Sequence, residues 1–118
     1  MGRLTTHVLD TSRGLPAGDL HIEVMALEEN DAVHPIKEVV TNADGRTDRP
    51  LLEGPEFTVG EFELRFHVGA YFRSLGLVLP DPPFLDIVCV RFGVANADRH
   101  THVPLLVSPF GYSTYRGS

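Results

Sequence analysis

A chain of 118 residues, 42% hydrophobic and 22% charged, has the composition of a single globular domain. Its 10 Lys and Arg residues are outnumbered by 16 Asp and Glu residues. The net charge of −6, without a basic cluster, argues against nucleic acid or anionic membranes as partners. No apolar stretch approaches the ~20 residues that span a bilayer, and MGRLTTHVLD lacks the apolar core of a signal peptide. We therefore expect one domain over residues 1–118 in the cytoplasm, with a periplasmic or peroxisomal location left open.

Segments of alternating polarity recur along the chain and predict short strands. In chain order the main predicted strands are 4–10, 20–27, 36–41, 61–68, 84–94 and 100–108. Residues 69–77 lack this alternation and predict a short helix, and Gly, Pro, Asn and Asp mark the turns between the elements. The pattern predicts an all-β fold, an antiparallel β-sandwich of about seven to eight strands with one short helix.

Two single residues carry further expectations about the strands. Cys89, the one cysteine, lies in the apolar run IVCV and is predicted to be a small buried hydrophobe. Pro104 cannot donate to a strand ladder, so it predicts an edge position or a bulge in the last strand.

The six histidines are the main candidates for chemistry. His67 alternates with apolar residues on a strand, which predicts solvent exposure. His100 and His102 are two apart on a predicted strand and would project from one face, an arrangement that can present two imidazoles to one metal. No third ligand is apparent nearby, since residues 99–118 contain no Asp or Glu. His7 lies within the first predicted strand, where a hydrogen-bonded structural histidine is the ordinary explanation.

Four segments form a larger pattern that extends over nearly the whole chain. They are THVLDTSRGLPAGDL (6–20), TNADGRTDRPLL (41–52), GAYF (69–72) and HTHVPLLVSPFGYSTYRGS (100–118). In content and order this pattern resembles the 5-hydroxyisourate hydrolases, the transthyretin-related enzymes of urate breakdown. The final Tyr-Arg-Gly-Ser is the most specific part of the resemblance.

The resemblance implies a set of site residues. Its catalytic residues fall on His7, Arg46, His102 and Ser118, and its substrate-binding residues on His7, Arg46, Tyr115 and Arg116. His102 would act as a base or position the attacking water, His7 would be its partner, and Arg46 would hold the substrate and stabilise oxyanion charge. The Ser118 hydroxyl or terminal carboxylate would orient a histidine. Thr101 stands where the family usually has tyrosine, and we expect this to change packing only.

The resemblance also implies an activity and an assembly. The reaction is the hydrolysis of 5-hydroxyisourate to 2-oxo-4-hydroxy-4-carboxy-5-ureidoimidazoline, without a metal or organic cofactor. The assembly is a homotetramer with its sites in a central channel. Two other functions stay open from the residues themselves. One is a non-enzymatic small-molecule binding protein of the transthyretin type, and the other is a metal-binding β-sandwich that uses His100 and His102.

Overall fold

The computed structural model describes residues 1–117. Within this range there are one α-helix, one short 3₁₀ turn at Gly54–Glu56 and nine strands. The strands are β1 (Arg3–Asp10), β2 (Leu15–Pro16), β3 (His21–Leu27), β4 (Val33–Val40), β5 (Leu52–Glu53), β6 (Gly60–His67), β7 (Ile87–Val94), β8 (Thr101–Ser108) and β9 (Gly111–Thr114). The helix α1 (Val68–Ser74) follows β6 directly. No helix within residues 1–117 is long and apolar enough to cross a membrane.

The strands form two sheets packed face to face. One has the order β2-β1-β8-β9, with β5 also paired to β1, and the other has the order β4-β3-β6-β7. The predicted all-β sandwich is therefore confirmed. Among the described strands the pairing is antiparallel except between β1 and β8, which run parallel. The parallel pair brings the first and last long strands of the chain side by side.

The core lies between the two sheets and is built by strand alternation. Its fully buried large side chains include Leu4, Val8, Ile22, Val24, Leu64, Phe66, Phe72 and Leu105. Burying one such side chain contributes about 1.5–3 kcal/mol, so the inward face of each strand fixes which residues must face outward. In β1 this leaves Thr5 and His7, each half-buried, on the outer face of the first sheet.

The predicted burial of Cys89 is wrong. Cys89 is exposed because it lies on the outer face of its sheet, between the inward positions of Val88 and Val90 in β7. An apolar run in the sequence does not distinguish a strand that is buried on both faces from a strand that buries only one face.

The prediction for Pro104 is also wrong. β8 lies between β1 and β9, so Pro104 is on an interior strand. The β8–β9 ladder ends at Leu105↔Thr114, and an isolated bridge at His102↔Gly117 continues the same register, so no bulge forms. Pro104 instead lies between the last β8–β9 ladder pair and the His102↔Gly117 bridge, so its missing N–H removes no hydrogen bond from the β8–β9 ladder.

Candidate active site

Strand register brings two of the predicted histidines to one surface. In the parallel β1–β8 pair, Thr5 is opposite His102 and His7 is opposite Pro104. The alternate pair, Thr6 opposite Val103, faces the core. Thr5, His7 and His102 therefore lie on the outer face of the first sheet, although the two histidines are 95 positions apart in the sequence. Both imidazoles are half-buried rather than fully solvated.

A tight turn brings Arg46 to the same place. Gly45 lies in the turn with φ 73°, and its carbonyl accepts a hydrogen bond from the Val8 N–H at 2.8 Å. A Cβ on Gly45 would collide with the Val8 carbonyl, so only glycine allows the turn to approach β1 so closely. The turn is closed by Asn42, whose backbone N–H donates to the Arg46 carbonyl at 2.7 Å. The DGR sequence thus anchors Arg46 beside the strand that carries His7.

The electrostatics of the three residues are coupled. Burial lowers the pKa of His7, and the Arg46 guanidinium lowers it further, while the backbone and carboxylate of Asp44 oppose this. Burial, Arg46 and His7, in that order, lower the pKa of His102. Because both pKa values lie below the ordinary histidine value of about 6.5, both imidazoles are neutral at pH 7 and can accept a proton.

Thr5 belongs to this site although the sequence did not single it out. Its Oγ1 lies 2.9 Å from Nδ1 of His102. The alternation of β1 puts Thr5 on the same face as His7, so the sequence could predict that these two side chains lie on one surface. The contact between Thr5 and His102 could not be predicted, because it depends on the register between β1 and β8, which lie at opposite ends of the chain.

The C-terminal segment passes over His102. The Gly117 N–H donates to the His102 carbonyl at 2.9 Å. A Cβ on Gly117 would lie 3.0 Å from Cγ and 3.1 Å from Cβ of His102, and it would overlap with Cδ2. Gly117 therefore packs directly against the imidazole, and a larger residue has no room. Ser118, predicted to orient a histidine, lies outside the described residues.

Two cavities adjoin the site. His102, Tyr115 and Arg116 line one of about 520 Å³, which lies between the end of β7 and the C-terminal segment. Arg46, Thr5 and Arg3 line a smaller one of about 250 Å³. The Thr5–His102 hydrogen bond thus links the walls of the two cavities, and Tyr115 and Arg116 are exposed at the larger one.

The other histidines are held elsewhere. His67 lies on the second sheet with its Nε2 2.6 Å from Oε1 of Glu23, so it is hydrogen-bonded and half-buried rather than simply solvated. His100 precedes β8 and is exposed. Over residues 1–117, no three His, Cys, Asp or Glu side chains form a group that could hold a metal ion.

The site therefore combines two neutral imidazoles, those of His7 and His102, with the Arg46 guanidinium on the outer face of a β-sandwich. This combination of groups is typical of a site for proton transfer on a small polar molecule. Residues 4–117 match the HIUase/Transthyretin family, and the chain belongs to this family.

Three relatives illustrate the similarity. The chain is 62% identical to 5-hydroxyisourate hydrolase 2 of Rhizobium meliloti (strain 1021), with 99% of this chain and 97% of the relative covered. It is 59% identical to 5-hydroxyisourate hydrolase of Ralstonia nicotianae, with full coverage of both chains. The solved structure of Klebsiella pneumoniae 5-hydroxyisourate hydrolase is 31% identical, covers 100% of both chains and superimposes with a TM-score of 0.81.

Proposed function

We propose that this chain is an enzyme that hydrolyses 5-hydroxyisourate to 2-oxo-4-hydroxy-4-carboxy-5-ureidoimidazoline. The observation that carries the proposal is the convergence of His7, His102 and Arg46 at one surface. Full-length identities of 62% and 59% to proteins named for this activity support it. A carrier needs a cavity of suitable shape, whereas two neutral imidazoles with lowered pKa values are suited to proton transfer.

The mechanism we propose is general-base hydrolysis of a cyclic amide. Water attacks a ring carbonyl while an imidazole takes its proton, an assistance worth about 10²–10⁴-fold in rate. The carbonyl oxygen becomes an oxyanion, which the Arg46 guanidinium stabilises. The C–N bond then breaks, and the imidazolium returns its proton to the leaving ring nitrogen. The carboxylic acid formed in this step gives its proton to solvent, and the ring-opened product carries the carboxylate. His102 acts as the base or the water-positioning residue, and His7 is its partner.

The C-terminal residues complete the proposed site. Tyr115 and Arg116 line the same cavity as His102, which supports a role for both residues in substrate binding. We assign Ser118 to orientation of a catalytic imidazole, because its neighbour Gly117 is bonded to His102. No step in this scheme needs a cofactor.

We propose a homotetramer as the active assembly. The residues of β9, the edge strand of the sheet that carries the site, are all exposed, and its ladder groups are open to a second copy. Two large aromatic side chains at this edge are exposed to solvent, Phe110 at 66% and Tyr112 at 48%. Exposed apolar side chains that lie together are typical of a protein–protein contact surface. Light scattering on the purified protein tests this, and an active monomer would contradict it. We propose the cytoplasm as its compartment, which cell fractionation would test.

The activity is tested by ultraviolet decay of freshly prepared 5-hydroxyisourate with and without the protein. The proposal expects a decay that accelerates in proportion to protein concentration, with the ureidoimidazoline as product. A protein that binds the compound but leaves its decay unchanged would be a carrier of the transthyretin type, and the enzyme proposal would be wrong.

A further inference from the structure

We propose that Thr5 is a positioning residue for His102, which it holds through Nδ1 so that Nε2 is presented to the substrate as the proton acceptor. This inference deepens the proposed function and rests on it. It selects His102 as the base and names the residue that fixes its tautomer.

The first step is the geometry around the ring. Thr5 Oγ1 lies 2.9 Å from Nδ1, and the strand register that places the two residues opposite each other maintains this contact. On the other side of the ring, the Gly117 backbone packs against the Cδ2 and Cγ edge. The imidazole is thus clamped at both edges. Within residues 1–117 no hydrogen-bond partner reaches Nε2, so Nε2 is the ring nitrogen that can meet water or substrate.

The second step is the direction of the hydrogen bond. A threonine hydroxyl can donate or accept, but an imidazole that has taken a proton carries hydrogen on both nitrogens. Only the arrangement in which Nδ1–H donates to Thr5 Oγ1 is compatible with His102 both before and after proton uptake. In that arrangement Nε2 carries the lone pair in the resting enzyme, and Thr5 stabilises the imidazolium that forms.

The third step is the contrast with the adjacent threonine. Thr6 is buried, and its hydroxyl donates to the Val103 carbonyl at 2.7 Å on the core side of the same two strands. Thr6 therefore contributes to folding and does not contact the imidazole. The two threonines make a matched pair, one on each face of β1.

The experiment compares Thr5→Val, Thr5→Ser and Thr6→Val in the full-length protein. Valine keeps the shape of threonine without the hydroxyl, so Thr5→Val is expected to lower kcat about tenfold with little change in KM. Losing the acceptor destabilises the imidazolium, so the acid limb of the pH–rate profile should move to lower pH by about 0.5 to 1 unit. Thr5→Ser keeps the hydroxyl and should therefore keep both kcat and the pH–rate profile close to those of the unmodified protein. Thr6→Val should lower the stability of the fold without moving the pH–rate profile.

A second measurement does not depend on turnover. Nitrogen resonances of ¹⁵N-labelled histidine, with His102 assigned by its loss in His102→Gln, report the tautomer and the pKa directly. The proposal expects the Nδ1–H tautomer in the unmodified protein and a lower His102 pKa in Thr5→Val. An Nε2–H tautomer, an unchanged pKa in Thr5→Val, or Thr5→Ser as impaired as Thr5→Val would overturn it. Absence of hydrolysis by the unmodified protein would instead overturn the proposed function, and the resonance result would still be readable.

Discussion

Gly117→Ala tests whether the C-terminal segment and His102 act as one unit. Gly117 does not have a left-handed φ, so alanine introduces a methyl group and no backbone strain. That methyl carbon would lie 3.0 Å from Cγ and 3.1 Å from Cβ of His102, with a closer overlap at Cδ2. Carbon atoms pack at roughly 3.5–4.0 Å, so the closest overlap, at Cδ2, requires the imidazole or the C-terminal segment to move by about 1 Å or more.

A displacement of this size is large for catalysis and small for folding. A misplacement of about 1 Å can cost about 10²-fold in rate, so we expect kcat to fall between about 10-fold and 100-fold. The contact lies at the end of the chain and outside the core, so the thermal midpoint should change by no more than about 2 °C. Both quantities come from one preparation, by ultraviolet decay of 5-hydroxyisourate and by a thermal melt followed by circular dichroism.

Gly111→Ala is the matched control in the same terminal region. A Cβ at Gly111 would meet only Oγ of Ser108, at 3.9 Å, which is an ordinary contact. This variant should keep full activity, and light scattering checks that it keeps the assembly of the unmodified protein, because Gly111 lies in β9. The reasoning fails if Gly117→Ala retains full turnover, or if both glycine variants lose activity to the same extent.

Three further predictions concern the site residues. His7→Ala and His102→Ala should each lose at least about tenfold in kcat, as expected for a general base or its partner. His67→Ala, on the other sheet, should leave kcat nearly unchanged, and an equal loss of kcat in His67→Ala would contradict the site assignment. Activity depends on neutral imidazoles whose pKa is lowered by burial and by Arg46, so the acid limb of the pH–rate profile should lie below about pH 6.5. Arg46→Gln should raise the pKa of both histidines in a resonance titration, and a lowered pKa would contradict the effect assigned to Arg46. Deletion of residues 115–118 should leave folding largely intact and remove most activity, with a loss strongly non-additive with that of His102→Ala; full turnover by the truncated protein would make this segment dispensable.

The fold was accessible from the sequence because strand alternation is a local signal. Leu4, Thr6 and Val8 are buried as their spacing predicts, and the helix begins at Val68, next to the predicted start at residue 69. The failures were at positions whose surroundings depend on how the strands are arranged in the sheets and which face of each sheet is covered. Cys89 is exposed because it lies on the outer face of its sheet, and Pro104 is interior because β9 returns alongside β8.

The candidate site was accessible only by resemblance. Spacing gave no reason to associate residue 7 with residue 102, since what joins them is a parallel pairing between the ends of the chain. The same pairing hid Thr5, which has no unusual feature until its partner strand is known. The turn that carries Arg46 was visible as a turn, but its approach to Val8 depends on the docking of Gly45, a tertiary contact.

The central claim is that this chain hydrolyses 5-hydroxyisourate through the His7 and His102 pair, and the rate with the double variant His7→Ala/His102→Ala tests it most directly. The unmodified protein should accelerate the ultraviolet decay of the compound. The double variant should fold to the same circular dichroism spectrum and lose at least about tenfold in kcat, with a loss no greater than about that of the worse single variant, since members of one catalytic unit fail together. A folded double variant that still accelerates the decay as the unmodified protein does would place the chemistry elsewhere in the molecule and contradict the account.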